Sequence, residues 1–324
     1  MSVRFLTNSL LTTAQDLGRH GFRRFGINPN GAMDRCAVRL VNILLGNEQS
    51  EAVLEMHFPA PKILFENAVI IALGGANFGA RVNHSEIENW RPIFVEKGSV
   101  LSFPQKIFGN RIYLAVQGGF EIEKWLGSGS TNLRARIGGF FGRSLRKEDR
   151  LFFKKPIADG KTPIAFSYKI SNRLIAPYKS FPAVRAIAGA EFENLTKESR
   201  RNFQTRNFTI RNESDRMGFR LKGERLTLKK RMELVSSAVN FGTIQLLPDG
   251  QLIVLMADHQ TTGGYPRIAH IVSRDLPLVA QFGTGDKLNF QIVSLDEAER
   301  LIVESEIELN YLKFAVGAKL RNLC

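Results

Sequence analysis

A polar loop of nine residues, from Asp258 to Pro266, carries the residue types in this chain that are best suited to chemistry. Its sequence, DHQTTGGYP, supplies a carboxylate, an amide, two threonine hydroxyls, an aromatic ring and two glycines that let a ligand approach the backbone N–H groups. Donors fixed in this way stabilise an oxygen that becomes negative during a reaction. Two interpretations stay open on composition: a site for a planar, amide-like ligand, or a hydrogen-bonded structural corner.

Two strand-like runs lead into this loop and must position it. Gly242–Leu247 is the first run, and Pro248–Gly250 is a tight turn because proline presets its own φ and glycine tolerates the exit geometry. The second run, Gln251–Ala257, is almost entirely apolar, which is typical of a strand covered on both faces. The sequence therefore predicts a hairpin that delivers Asp258 to the end of a buried strand.

A second polar stretch, rich in glycine and arginine, runs from Gln15 to Gly31 and ends close to a predicted helix. Asp34 precedes apolar residues at helical spacing, and Gly46 follows them, so the pattern predicts a helix from Arg35 to Leu45 with Asp34 as its N-cap. The cap is therefore one interpretation of Asp34.

The C-terminal region and one long loop have their own signals. Ser294 followed by Glu297 is a capping box. The apolar residues after it recur at helical spacing: Ala298, Leu301, Ile302, Leu309 and Leu312. We expect an amphipathic helix packed on a barrel, with partner binding as the alternative.

The glycine- and arginine-rich segment Gly127–Arg150 is expected to be a mobile loop, either a surface excursion or a lid or docking loop.

Short strands separated by turns dominate the remainder of the chain. Similar segments recur in the same order, Ile71–Phe78 with Arg185–Phe192 and Glu148–Phe153 with Gly285–Phe290. This repetition predicts a mainly β protein with two related β-barrel domains in tandem and a few helices. We place the N-terminal domain, with the Gln15–Gly31 stretch, at residues 1–165 and the C-terminal domain, with the last helix, at residues 166–324.

Composition narrows the function classes. The formal charge is +14, but the basic residues are scattered, which favours a solvated surface or a field that attracts anionic substrates and acidic partners over nucleic acid. The two cysteines, Cys36 and Cys324, and the five histidines show no metal-ligand spacing, so no metal site is expected. We find no phosphate-binding loop and no leader pattern or apolar run of membrane length, so we expect a cytoplasmic protein.

Several motifs resemble those of the biotin-dependent carboxyltransferase family of the KipA type. The similarity extends from about residue 5 to about residue 298. Its segments are GTIQLLPDGQ with DHQTTGGYP (Gly242–Pro266), Thr12–Asp34, Asn42–Asn47, Gly109–Phe120 and Asp215–Gly223. Two positions depart from the family pattern: Ala190 replaces a proline and Glu148 replaces a glycine.

The resemblance implies cyclophilin-like barrels and two enzymatic reactions. One is the ATP-dependent opening of the lactam 5-oxo-L-proline to L-glutamate by a C subunit acting with A and B (KipI-like) subunits, in which ATP is bound with or by a partner. The other is carboxyl transfer from carboxybiotin to urea, as in the allophanate hydrolase and urea amidolyase members, and only this alternative involves biotin. A third possibility is a non-enzymatic regulatory partner of a KipI-like kinase inhibitor. The chain has no Met-Lys-Met biotin-attachment segment, which favours the first reaction.

Both reactions act on a stable amide or urea, so they need donors at the carbonyl oxygen and a base near the nitrogen or the attacking water. On this basis Asp258 is expected to be the base or N–H acceptor, and Gln260 and Gln245 to hold the planar substrate. The expected oxygen-side donors are the hydroxyls and backbone amides of Thr261, Thr262, Gly263 and Gly264. Tyr265 is expected to exclude water, Arg24 to bind a carboxylate or phosphate, and the resemblance adds a catalytic role for Asp34.

Overall fold

The computed structural model describes residues 1–155, 166, 168–178, 183–230 and 232–321 of the 324-residue chain. The chain divides into two compact units, and neither unit is a continuous stretch. The first contains Met1–Arg19, Asp34–Tyr178 and Ile307–Cys324, and the second contains His20–Met33 and Lys179–Glu306. The boundary expected at residue 165 lies outside the described residues. Most of the secondary structure is β, which confirms the predicted fold class.

The strands of the first unit form two antiparallel sheets. Their bounds are β1 (Ser2–Phe5), β2 (Thr12–Gln15), β3 (Val53–His57), β4 (Ile63–Phe65), β5 (Val69–Asn77), β6 (Arg81–Val82), β7 (Ser85–Glu86), β8 (Pro92–Val95), β9 (Val100–Ser102), β10 (Phe108–Val116) and β11 (Arg150–Phe152). One sheet has the strand order β11-β1-β4-β9-β6-β7, and the other has the order β2-β3-β10-β5-β8. Alternate residues of these strands bury apolar side chains in a shared core.

The predicted first helix is present as α1 (Arg35–Leu44) and lies against β5. Gly74 in β5 explains how close the helix comes, because a Cβ at this position would lie 2.6 Å from both Val41 of α1 and the Trp90 ring. The glycine therefore leaves room for a helix side chain and an indole over the same point of the sheet.

The second unit has one large sheet and a two-stranded ribbon. The strand bounds are β12 (Val184–Ala188), β13 (Phe208–Ile210), β14 (Gly218–Lys222), β15 (Ser237–Ala238), β16 (Thr243–Leu246), β17 (Leu252–Leu255), β18 (Thr262–Gly263), β19 (Arg267–Ile271), β20 (Lys287–Leu288) and β21 (Phe290–Ile292). The large sheet has the order β20-β13-β14-β17-β16-β19-β12-β21, in which β12 and β21 are parallel and the other pairs antiparallel. The ribbon pairs β15 with β18.

The predicted hairpin is confirmed as β16 and β17. The turn between them is closed by hydrogen bonds from Gly250 N to Leu247 O at 3.0 Å and from Leu247 N to Gln251 O at 2.8 Å, and Gly250 has φ +80°. Ile244 and Val254 are paired across the hairpin and fully buried in the core of the second unit. Because side chains alternate along a strand, Gln245 lies on the other face of the sheet.

The remaining helices are α2 (Lys197–Thr205), α3 (Leu276–Val279) and α4 (Leu295–Arg321). The capping box predicted before α4 is confirmed on its N-terminal side, since Glu297 N donates to Ser294 Oγ at 3.1 Å. Among the described helices, none combines the length and the apolar character needed to cross a bilayer.

The expectation of a mobile loop over Gly127–Arg150 is wrong for its first part. The buried carboxylate of Asp16 accepts hydrogen bonds from Ser128 Oγ at 2.7 Å, Gly129 N at 2.6 Å and Ser130 Oγ at 2.5 Å. Ser128, Ser130 and Thr131 are fully buried. One carboxylate thus fixes a segment whose composition alone predicts flexibility.

Of the two positions that depart from the family pattern, Glu148 has an unusual backbone conformation. Glu148, where a glycine is expected, has φ +70°. This left-handed conformation suits glycine better than a residue with a Cβ.

Candidate active site

Gln245 is the best-defined polar group on the outer face of the hairpin. It lies opposite Ile253 of β17 and opposite Arg267 of β19, and its side chain has 0% exposure. Its Nε2 donates to Tyr265 O at 3.3 Å, while its Oε1 has no hydrogen-bond partner among the described residues. A buried carbonyl oxygen without a donor costs about 1–3 kcal/mol, so this oxygen is a strong candidate for a ligand N–H.

Gly263 keeps the loop close to this glutamine. A Cβ at Gly263 would lie 2.7 Å from Gln245 Nε2, so a larger residue would displace either the Gln245 amide or the loop. The first glycine of the TGGYP sequence therefore lets the loop lie directly against the Gln245 amide.

A pocket of 510 Å³ lies on the same face of the sheet. Three residues expected from the sequence, Gln245, Gln260 and Tyr265, line it. The other lining residues come from β14, β17 and the connecting turns: Glu213, Asp215, Met217, Gly218, Arg220, Leu247, Pro248, Asp249 and Ile253. The sheet register places Arg220, Ile253 and Gln245 side by side on adjacent strands. The outer ends of this row are two strand spacings apart, roughly 10 Å.

Asp258 has a different setting from these three residues. Its carboxylate accepts hydrogen bonds from Arg216 Nε at 2.9 Å, Arg216 Nη2 at 3.0 Å and Asn30 Nδ2 at 2.8 Å. The Asp258 backbone carbonyl accepts a further bond from Asn28 Nδ2 at 3.0 Å, and Arg216 also donates to Gly31 O at 2.6 Å. The side chains of Arg216 and Asp258 are only 7% and 12% exposed. This bidentate pair ties the Asn28–Gly31 segment to the end of β17.

Arg23 forms a second connection of the same kind. Its guanidinium donates to Asn240 Oδ1 at 2.5 Å, to Val239 O and to Thr261 O at 3.5 Å. The neighbouring Arg24, the expected anion binder, is exposed and stacks over the Phe25 ring with its guanidinium carbon 4.7 Å from the centroid. Thus Arg23 holds the segment in place, and Arg24 presents its charge to solvent.

The expected oxygen-side donors lie at the edge of the two-stranded ribbon. Thr262 and Gly263 form β18 and are paired with Ala238 and Ser237. Thr261 O accepts from Val239 N at 3.2 Å. A Cβ at Gly264 would lie 3.3 Å from Ser236 Oγ, so the ribbon also limits side-chain size there.

Asp34 belongs to the first unit, where it is the N-cap of α1. Its Oδ1 accepts from Ala37 N at 2.8 Å and its Oδ2 accepts from the Tyr178 hydroxyl at 2.6 Å. Burial, reinforced by the Asp34 charge, raises the pKa of Tyr178 well above its usual value, so this hydroxyl stays protonated and donates. The capping interpretation of Asp34 is confirmed.

Replacing Asp34 with alanine is expected to destabilise the first unit by about 2–4 kcal/mol, because the helix loses its cap and the buried Tyr178 hydroxyl loses its acceptor. Denaturant unfolding measures the change. The matched control is Thr196→Ala, which removes the α2 cap bond to Ser199 N at 3.1 Å together with part-exposed hydroxyl contacts to Ser199 and Thr227, and it should cost about 1 kcal/mol. Equal costs for the two variants would contradict a special role for the Asp34–Tyr178 bond.

The charges around the pocket limit what it can hold. Hydrogen bonds from Arg211 hold the pKa of Glu213 below its usual value, and the Arg220 charge adds a smaller lowering. Asp215 accepts from Met217 N at 2.7 Å, and Asp249 accepts from Gln251 N at 3.0 Å. Each of these lining carboxylates is thus already engaged. Arg220 is the lining cation, and no hydrogen bond or ion pair joins its guanidinium to another described side chain.

This charge balance does not suit the phosphates of ATP, since one arginine among three carboxylates cannot offset a triphosphate. It suits a small ligand with an amide and at most one carboxylate. Within the described ranges, no three His, Cys, Asp or Glu side chains group together as metal ligands would.

Two functional candidates were missed by sequence reasoning. Arg216 and Arg220 both lie in the DRMGFRLKG segment, which the sequence offered only as a matching motif. Arg216 was predictable in principle, because a buried Asp258 at a strand end needs a cation. Arg220 becomes visible only through the sheet register that places it beside Ile253 and Gln245.

Comparison with known proteins places these features in a family. A family model described as "Carboxyltransferase domain, subdomain A and B" matches residues 25–292. The chain is 37% identical over 308 residues to the C subunit of the 5-oxoprolinase of Haemophilus influenzae, covering 95% of this chain and 96% of the relative. It is 36% identical to the Escherichia coli protein of the same name, covering 91% and 93% of the two chains.

A solved structure is also similar. The crystal structure of the K. lactis urea amidolyase aligns with 96% of this chain at a TM-score of 0.88 and 25% identity, and the aligned part is 20% of that much longer protein. The aligned fifth of the larger enzyme therefore has the same fold as this chain.

Proposed function

The chain belongs to the carboxyltransferase domain family, subdomains A and B, and from this membership we propose that it is the C subunit of an ATP-dependent 5-oxoprolinase. In that complex it acts with A and B subunits to open 5-oxo-L-proline to L-glutamate. The observation that carries the proposal is the near full-length similarity to two proteins named as this subunit. The pocket beside Gln245 supplies the matching chemistry.

The substrate is a five-membered lactam with one carboxylate, and the pocket offers one partner for each end. The unpartnered Oε1 of Gln245 accepts the lactam N–H, and Arg220 pairs with the carboxylate. Ile253, between them on the sheet, contacts the ring. Gln245 is fully buried, so binding requires the Tyr265 side of the loop to move outward. This movement breaks the 3.3 Å hydrogen bond from Gln245 Nε2 to Tyr265 O, and the β15–β18 pairing and the 2.9 Å bond from Leu246 N to Pro266 O limit its extent.

The loop residues then act at the carbonyl. The hydroxyls and backbone amides of Thr261–Gly264 stabilise the developing oxyanion, Gln260 orients the ring and Tyr265 excludes water. Asp258, bound by Arg216 and Asn30, is the weaker candidate for a free base and holds the loop in place for these donors. Arg24, on an exposed turn, guides the anionic substrate.

We assign ATP to a partner subunit, because the acidic lining of the pocket fits phosphates poorly. When bound there, ATP supplies the energy that makes lactam opening favourable. This chain binds and orients the lactam and stabilises charge on its oxygen.

The test is reconstitution. The purified chain, mixed with its A and B subunits and ATP, should convert 5-oxoproline to glutamate, and each subunit alone should not. Glutamate release measured with and without this chain decides the question. Full activity of the A and B subunits without it would refute the proposal.

Arg220→Gln is expected to raise KM for 5-oxoproline by about tenfold with a smaller change in kcat, because an exposed charged hydrogen bond to the carboxylate is lost. Steady-state kinetics of the reconstituted complex measures both values. Arg211→Gln is the matched control, since Arg211 lies nearby but is paired with Glu213 at 2.7 Å. An equal KM effect from both variants would indicate loss of the general positive field and not of a specific contact.

A second candidate function has its own support. The similarity to the K. lactis urea amidolyase is compatible with carboxyl transfer from carboxybiotin to urea. Urea lacks a carboxylate, so Arg220→Gln should leave that activity nearly unchanged. Carboxylation of urea in the presence of a carboxybiotin carrier would favour this second function.

A further inference from the structure

The long helix α4 is apolar on two opposite sides. Ala298, Leu309 and Val316 are buried, with 6%, 6% and 4% exposure. On the opposite side Val303, Ile307, Tyr311 and Phe314 are 57%, 49%, 73% and 73% exposed. These four residues, here called the outer stripe, are spaced by four, four and three positions, so they lie along one face of the helix.

A helix that packs on its own chain by one face does not need the apolar residues of the outer stripe. Such a helix presents polar residues to solvent, whereas α4 presents two aromatic and two branched aliphatic side chains in one row. Single exposed apolar residues are common, but a continuous row of large ones marks a contact surface.

The charges of α4 are strongly segregated along its length. The half before Leu309 contains one basic residue, Arg300, and six acidic residues: Asp296, Glu297, Glu299, Glu304, Glu306 and Glu308. The half from Leu309 to Arg321 contains no acidic residue and three basic ones: Lys313, Lys319 and Arg321. The helix dipole accounts for charges in the terminal turns. Of the inner carboxylates, Glu304 is paired with Arg300 at 3.9 Å and Glu308 with Arg173 at 3.6 Å in the same chain, so these pairs neutralise part of the acidic half.

We propose that the outer stripe is a self-association surface on which two copies of this chain pair through antiparallel α4 helices. The antiparallel direction sets the acidic half of each helix against the basic half of its copy. The register that brings Val303 opposite Phe314 of the copy also brings Asp296 opposite Arg321, at the end of the same face. A parallel pair would place acidic against acidic residues along half its length.

This arrangement is symmetric and closes on itself. A two-fold axis near the Glu308–Leu309 step relates the two helices, so each copy contributes the same patch. The helix is about 40 Å long at 1.5 Å per residue, and a single pair of such helices forms a small interface. We therefore expect a dimer with a micromolar dissociation constant that weakens as salt screens the charges.

Sedimentation velocity of the full chain between 1 and 100 μM tests the proposal. Wild type should shift from monomer to dimer over about this range, and Tyr311→Glu and Phe314→Glu should each weaken dimerisation at least tenfold. Val235→Glu is the matched control, because Val235 is 91% exposed and lies outside the helix, so its dimer should be unchanged. Circular dichroism checks that all variants keep their fold.

A charge exchange tests the direction of the helices. Arg321→Asp alone should weaken the dimer, and the double variant Asp296→Arg with Arg321→Asp should recover it, since the opposed charges are restored. A wild-type chain that stays monomeric at 100 μM overturns the proposal, as do stripe variants that dimerise normally. A monomer whose stripe instead binds an A or B subunit also overturns it and assigns the surface to that partner.

Discussion

Gln245→Leu is expected to lower kcat/KM for 5-oxoproline in the reconstituted complex by about 10²–10³-fold while leaving the fold intact. The substitution keeps most of the side-chain volume but removes the buried Oε1 to which we assign the lactam N–H. It also removes the Nε2 bond to Tyr265 O, so the wall of the pocket loses its tie to the sheet. Steady-state turnover and the melting temperature, measured on the same preparations, separate activity from stability.

The matched control for this variant is Gln204→Leu. Gln204 lies on the exposed side of α2 and donates only to Arg200 O at 3.3 Å, so its loss should change turnover by less than about twofold. If the folded Gln245→Leu complex kept the wild-type kcat/KM, the substrate would not bind in this pocket. The proposed function would survive that result, because reconstitution tests it separately.

Arg216→Met is expected to destabilise the second unit by about 3–5 kcal/mol. The arginine and Asp258 are almost completely buried, and removal of one partner leaves the other charge uncompensated. Arg216 also donates to Gly31 O, so the variant weakens the attachment of the Asn28–Gly31 segment as well. Urea unfolding should show the loss as a lower midpoint, and turnover should fall with it because the loop is no longer held.

Two further variants isolate the charge. The double variant Arg216→Met with Asp258→Asn removes both ions and should recover at least half of the lost stability. Arg211→Met is the surface control, since loss of the exposed Arg211–Glu213 pair should leave the unfolding midpoint nearly unchanged. A double variant no more stable than Arg216→Met alone would mean that the hydrogen bond to Gly31 O matters more than the buried charge.

Local features of the fold were predictable from short sequence signals. The Pro248–Gly250 turn indicated the hairpin because its residues have the required backbone preferences, and the observed hydrogen bonds and the +80° φ of Gly250 agree. Asp34 and Ser294 likewise marked the start of a helix, since both side chains accept from N–H groups of the first turn.

Long-range contacts were not predictable in the same way. Asp16 fixes a segment more than a hundred residues away, so the composition of Gly127–Arg150 alone misled the prediction. Of the candidate site, the sequence indicated Gln245, Gln260 and Tyr265 around one pocket, but not Arg220, which depends on strand register. The bidentate contact of Arg216 with Asp258 depends on tertiary pairing in the same way.

The exchange of chain segments between the units has a consequence for biosynthesis. The second unit takes His20–Met33 from near the start of the chain, and the first unit takes the part of α4 after Glu306. The two apolar cores differ in when they can form, because the core residues of the first unit end at Phe153, whereas the core of the second unit combines Met33 with residues as late as Phe290. During synthesis the His20–Met33 segment therefore has none of its partner strands until more than 150 further residues have been added, so the second unit can fold only after the first core is already complete.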